Sequence, residues 1–166
     1  LFLGEVQLTN KEWAALLRDK VKDLPRSRTA LLGLVAAFSA IGNSASEERT
    51  VVISASTVGG MDLSEQHFSK WNSGNLDMIA DAVEHPVGSH TAYIAQAIGS
   101  KAMRTTISTA CSSSANAMIL GGQLLRTGRA DRVLVGGSDA LCKFTIEGFM
   151  ALSAMDTTGV TKPFSN

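Results

Sequence analysis

One of the two cysteines, Cys111, stands where an extended run gives way to a helical one. In Ser108-Thr109-Ala110-Cys111-Ser112-Ser113-Ser114-Ala115-Asn116-Ala117 the strand-like residues end at Ser108 and a helical pattern begins within three residues. The first turn of a helix offers unpaired backbone N–H groups and a partial positive charge. Both favour a thiolate over a thiol, which makes a cysteine there nucleophilic. The same amides can hydrogen-bond an oxyanion forming on a thioester carbonyl. The small neighbours Ala110, Ser112, Ser113, Ser114 and Ala115 let a substrate approach the sulfur closely. The arrangement follows the logic of a nucleophile elbow, with cysteine in place of serine. Spacing alone fits equally well the usual fate of a free cysteine, a small buried hydrophobe. Cys142, in Ala140-Leu141-Cys142-Lys143-Phe144, has no such setting and reads as packing.

Other candidates carry less. His67, His85 and His90 all precede Cys111 and read as surface or capping histidines. Asp131, Asp139 and Asp156 lack metal-ligand spacing. Gly136-Gly137 is followed by no Lys-Ser/Thr, and no G-x-G-x-x-G occurs, so a nucleotide site is rejected. Arg18, Lys20, Lys22, Arg26 and Arg28 form a local basic cluster. It reads either as a solvated helix face or as a docking patch for an acidic partner.

The elements that must position Cys111 are legible around it. Thr50–Ala55 reads as a buried strand and Ser56–Gly60 as the turn leaving it. Residues 104–108 and 132–137 read as two more strands, and 112–127 as the helix between them, ended by Gly128. Upstream, Thr9-Asn10-Lys11-Glu12 is a capping-box pattern. Trp13, Leu16, Leu17, Val21 and Leu24 follow at helical spacing until Pro25. Residues 29–41 are apolar nearly all round, the mark of a buried helix ended by Gly42-Asn43, with a polar loop at 44–48. Residues 62–85 read as helical or irregular, and 90–98 as a short helix ended by Gly99. Gly121-Gly122 inside a helix costs about 1 kcal/mol each against Ala, so another backbone is expected to pack closely there. Strand, helix, strand, helix, strand in that order implies α/β architecture with a buried sheet.

Composition agrees. The 166 residues hold 15 Lys+Arg against 15 Asp+Glu, a balance that argues against bulk attraction to nucleic acid or an anionic membrane. Hydrophobic residues at 45% and charged residues at 18% exclude disorder. No apolar run approaches a membrane span, no signal peptide is visible, and two cysteines make no disulfide framework, so a reducing cytosol is expected. The chain opens on Leu1 rather than Met and closes on Pro163-Phe164-Ser165-Asn166 without a terminal helix. That pattern is expected of a segment cut from a longer chain, with a trimmed complete domain as the alternative.

Residues 108–117 resemble the active-site segment of β-ketoacyl-acyl-carrier-protein synthases, the condensing enzymes of fatty-acid and polyketide synthesis. The likeness continues through Gly128-Arg129-Ala130-Asp131 and Gly136-Gly137-Ser138-Asp139-Ala140. It extends to Gly148-Phe149 and Pro163-Phe164, and upstream to Thr57-Val58-Gly59-Gly60. The resemblance implies a thiolase-like α/β fold of two βαβαβαββ halves, layered helix–sheet–helix–sheet–helix. Residues 1–166 are then an incomplete N-terminal half. It implies a decarboxylating Claisen condensation of the elongating type, a 3-oxoacyl-carrier-protein synthase of fatty-acid biosynthesis, with a polyene or polyketide synthase as variant. Cys111 is then the acyl acceptor and its N–H part of the oxyanion hole. Val58 and Phe149 resemble positions lining the acyl tunnel, Val58 reaching across a dimer interface. The strand before Cys111 resembles the dimer-pairing strand. Implied partners are acyl- and malonyl-loaded carrier protein and a second copy of the chain; no metal or organic cofactor is implied. The two histidines and the lysine that complete such sites lie downstream of the cysteine in the family and match nothing here, so residues 1–166 alone are expected to be inactive. Two rivals remain. One is a coenzyme A-dependent or initiating enzyme of the thiolase superfamily. The other is a non-catalytic chain-length-determining subunit, which characteristically lacks the cysteine.

Overall fold

The computed structural model describes residues 3–42, 49–156 and 158–160. Its centre is a parallel three-stranded sheet in the order β2-β1-β3, with β1 at Thr50–Ala55, β2 at Arg104–Ile107 and β3 at Arg132–Gly137. β1 and β3 have the boundaries expected from sequence, and β2 stops one residue earlier. All six residues of β1 are buried, as the middle strand of a sheet covered on both faces must be.

The period of two along β1 divides the core. Val52 faces one way, with Leu134 of β3, against Leu17, Leu31, Leu34, Ile94 and Ile98. Val51, Ile53 and Ala55 face the other way, against Ala117, Leu124 and Ala130. The first layer comprises α1 (Asn10–Leu17), α2 (Arg28–Ile41) and α4 (Ser89–Ala97); the second is α5 (Ser113–Arg126). The result is helix–sheet–helix. Parallel neighbours need crossovers. β1 reaches β2 through α3 (Met61–Asn72), a 3₁₀ helix at Ile79–Glu84, and α4; β2 reaches β3 through α5.

Local chemistry explains most boundaries. The Thr9 capping box is formed: Thr9 Oγ1 accepts from the Glu12 N–H, and the Glu12 carboxylate accepts from the Thr9 N–H at 2.7 Å. α1 nevertheless ends at Leu17, well short of Pro25. The Lys20 and Val21 amides both donate to the Leu17 carbonyl, closing the chain into a turn. Val21 and Leu24 still pack on the core from that turn, so the apolar spacing outlives the helix. α2 begins with its N-cap Ser27 accepting from the Ala30 N–H and ends at Gly42, where φ is +59°. Asn43 and the polar loop at 44–48 lie outside the described residues. After β3 the chain forms a further exposed helix, α6 (Lys143–Ala151), for which the sequence reading has no counterpart.

The Gly59-Gly60 turn is required by close approach. Gly59 has φ +55°, and a Cβ on Gly60 would lie 2.3 Å from the Glu84 carbonyl oxygen. Gly121 is also a contact point, but a Cβ there would meet side chains, Val135 Cγ2 at 2.8 Å and Val133 Cγ1 at 3.2 Å, rather than another backbone. Gly122 meets only the Arg126 Nη1, at 3.5 Å. The two glycines therefore have different reasons.

Candidate active site

The three strands end level: Ala55 pairs with Ile107 on one side and with Gly137 on the other. Their exit loops therefore share one rim, at the carboxyl edge where open α/β sheets place ligands. The Ser56 N–H donates to the Ile107 carbonyl at 3.3 Å and the Ser138 N–H to the Ala55 carbonyl at 3.1 Å, which ties the loops together. A cleft of about 530 Å³ opens at this rim. The loop leaving β1 contributes Ser56 and Thr57 to its wall, the elbow contributes Ala110 and Cys111, the loop leaving β3 contributes Asp139, and α6 contributes Thr145 and Phe149. Cys111 is exposed to it.

The backbone turns sharply at the cysteine. Ala110, just before it, has φ +51°, a left-handed conformation that costs a non-glycine residue roughly 1–2 kcal/mol. Ser112 is the N-cap of α5, so Cys111 lies one residue ahead of the cap rather than in the first turn. The Ser112 and Ser113 amides donate to the carbonyls of Thr109 at 3.2 Å and Ala110 at 3.1 Å. They are committed to the turn, which narrows the oxyanion donors expected from sequence. Gly137 lets this elbow sit low: a Cβ there would lie 3.0 Å from both the Ala55 carbonyl oxygen and Ser114 Oγ.

Asp139 is the residue of the rim whose importance sequence spacing did not reveal. Its carboxylate accepts from Ser56 Oγ at 2.6 Å, Thr57 Oγ1 at 2.7 Å and the Thr57 N–H at 3.0 Å. It thus clamps the exit of β1 to the exit of β3. Its place in the Gly-Gly-Ser-Asp-Ala run was the available signal, since an acid directly after a strand end faces the neighbouring loop amides. Val58, next in that clamped turn, is 6% exposed and packs on Ala140, Cys142 and Met61 of its own chain. It borders a second cavity of about 240 Å³ with Met61, Phe144 and Leu152, and Thr57, Thr145 and Phe149 line both cavities. Phe149 thus lines the Cys111 cleft and the neighbouring apolar cavity, while Val58 lines only the second.

Cys142 is buried and donates to the Ala140 carbonyl at 3.4 Å. Burial, then the charges of Glu65, Asp62 and Asp139, push its thiol up to about 12, so it is packing. His85 is exposed, caps the 3₁₀ helix and shares a 2.7 Å hydrogen bond with Ser64. The other two histidines correct the surface reading. His67 is buried, its Nε2 3.2 Å from Asp81, and Asp81 also pairs with Arg26 at 2.8 Å. His90 is fully buried with Nε2 2.7 Å from Ser54 Oγ, because a hydroxyl on a buried strand needs a partner. Burial holds His90 below the ordinary imidazole range, with the Val87 backbone and the Asp139 charge opposing. The basic cluster does not form one patch. Arg26 pairs with Asp81, Arg28 binds the carbonyls of Leu8 and Val6 and the Glu5 carboxylate, and Lys20 lies over the Phe38 ring. Among the described residues no group of three or more His, Cys, Asp or Glu side chains could hold a metal, and no helix is long and apolar enough to cross a membrane.

Residues 18–166 match the family described as the N-terminal domain of β-ketoacyl synthase. The chain belongs to the β-ketoacyl synthase family. Over 60 residues, 36% of this chain and 2% of the relative, it is 37% identical to a probable polyketide synthase of Dictyostelium discoideum. It is similar to a ketosynthase of Xenorhabdus doucetiae solved in complex with its chain length factor, with TM-score 0.66 and 31% identity over 76% of this chain and 34% of that one. A ketosynthase solved with a type II polyketide acyl-carrier protein shares the fold at TM-score 0.69 and 16% identity, over 87% of this chain and 42% of that one. The chain thus spans less than half the length of these relatives. Its α/β layers are those of the thiolase-like ketosynthases.

Proposed function

We propose that residues 1–166 are the N-terminal half of a β-ketoacyl-carrier-protein synthase and that Cys111 is its acyl-accepting nucleophile. The supporting observation is the cysteine's place: exposed at a strand-to-helix elbow, on a cleft that shares Thr57, Thr145 and Phe149 with a neighbouring apolar cavity. In the first step Cys111 Sγ attacks the acyl thioester of a carrier protein. A new thioester forms, and the carrier thiol leaves with the proton. Malonyl-carrier protein then loses carbon dioxide, and the carbanion attacks the acyl-Cys111 carbonyl, releasing the sulfur. With the Ser112 and Ser113 amides occupied, the Cys111 N–H is the oxyanion donor this half supplies. Val58 and Phe149 contact the acyl chain. The histidines and lysine that supply acid–base chemistry in the family match nothing in residues 1–166, so the full-length enzyme is the form in which the reaction is expected.

Fatty-acid elongation and polyketide or polyene extension share this chemistry. The relatives above 30% identity, a polyketide synthase and a ketosynthase with a chain length factor, favour the second pathway. Retention of Cys111 favours a catalytic subunit over a chain-length-determining one. Carrier protein is the partner that delivers both substrates. The outer edge of β2, an edge strand of the sheet, supports pairing with its counterpart in a second copy. A cytosolic setting fits two free cysteines. The test is intact-mass measurement of the full-length enzyme incubated with acyl-carrier protein. The unaltered enzyme gains one acyl group and Cys111→Ala gains none; an acylated Cys111→Ala enzyme refutes the assignment.

A further inference from the structure

The Cys111 elbow holds a strained residue, and one buried hydroxyl bridges both sides of it. Ser113 is 5% exposed. Its Oγ accepts from the Thr109 N–H at 2.8 Å and donates to the Ala110 carbonyl at 2.6 Å. Those groups bracket the Thr109-Ala110 pair, and the φ of +51° at Ala110 sets the direction in which the chain enters Cys111. A second brace lies outside: Ser112 Oγ donates to the Thr109 carbonyl at 2.7 Å, and Asn116 Nδ2 to Thr109 Oγ1 at 2.8 Å. The outer brace touches only Thr109 and Ser112. It holds the Thr109 carbonyl, in the peptide group ahead of Ala110, whereas the Ser113 hydroxyl holds the Ala110 carbonyl, in the peptide group that carries the Cys111 N–H. Without that grip the favoured right-handed conformation returns at Ala110 and re-aims both the Cys111 N–H and its sulfur.

We propose that Ser113 is a positioning residue, acting through the Ala110 backbone to set the Cys111 N–H and Sγ for attack on a thioester. The inference rests on the assignment of Cys111 as acyl acceptor. Acyl transfer needs sulfur and oxyanion donor aligned together, whereas alkylation by a small reagent needs only a reachable thiolate. The two reactions therefore separate aim from exposure.

The experiment uses the full-length enzyme and its Ser113→Ala and Ser113→Thr variants. Loading from the N-acetylcysteamine thioester of octanoate is timed by intact mass, and alkylation by iodoacetamide is mapped to Cys111 and Cys142 by peptide mass. Ser113→Ala is expected to load about tenfold more slowly, the size of one lost hydrogen-bonded brace, with Cys111 alkylation within about twofold of the unaltered enzyme. Ser113→Thr, which keeps the hydroxyl, recovers most of the loading rate. Loading by Ser113→Ala at the unaltered rate overturns the proposal. So does slowed loading accompanied by alkylation of Cys142, which marks loss of fold. An unaltered enzyme that alkylates at Cys111 but never loads overturns the acyl-acceptor assignment itself, and this proposal with it.

Discussion

Replacing the adjacent glycines of α5 with alanine, one at a time, should move stability in opposite directions. In a helix interior, alanine is favoured over glycine by about 1 kcal/mol. At Gly122 nothing opposes that gain. The added methyl finds the Arg126 Nη1 at 3.5 Å, the far end of a flexible side chain. Gly122→Ala should therefore stabilise by about 1 kcal/mol. At Gly121 the methyl arrives 2.8 Å from Val135 Cγ2 and 3.2 Å from Val133 Cγ1. Both valines are β-branched and stiff, and they sit on β3 where the sheet fixes them. Overpacking of this kind costs about 1–3 kcal/mol, which exceeds the helix gain, so Gly121→Ala should destabilise by about 1 kcal/mol net. The two variants should differ by about 2 kcal/mol, or ~4–8 °C in Tm for a domain of this size. Thermal unfolding followed by far-ultraviolet circular dichroism measures it. A Gly121→Ala melt raised as far as that of Gly122→Ala would show that α5 does not lean on β3 here, and the packing argument would fail.

Three further outcomes are expected. At pH 8, iodoacetamide should modify Cys111 long before Cys142, because a thiol pushed to about 12 is ionised in roughly one molecule in ten thousand and is buried besides; comparable native rates at the two sites would refute this. His90 is held neutral in the fold, so the unfolded chain binds its proton first, near pH 6.5. The stability it contributes above that pH is lost as pH falls toward the folded value. Urea midpoints should drop between pH 7.5 and 5.5 and drop less in His90→Gln; an equal drop in both would remove His90 as a cause. Asp139→Ala frees Ser56 and Thr57 from their shared acceptor and should cost about 2 kcal/mol in urea unfolding, with Asp139→Asn costing less. An unchanged midpoint in Asp139→Ala would mean that the clamp carries no strain of the turn.

Sequence alone determined the strands, the helix after Cys111 and the alternation of layers, because these depend on neighbours a few residues apart. β-branched runs, caps and terminal glycines act over one turn or one pleat. The same locality marked Cys111, since its signal is a change of backbone period within ten residues. What neighbours cannot encode went differently. Val21 and Leu24 keep helical spacing outside any helix, because burial rewards position and not conformation. His67 and His90 look polar in sequence and are buried, because Asp81 and Ser54, both distant along the chain, supply their partners. The grouping of Cys111, Asp139, Thr57 and Phe149 around one cleft was settled only by tertiary structure. Strand register brings three chain exits to a common edge, and register is fixed by contacts between segments about 50 to 80 residues apart, beyond the reach of local propensity.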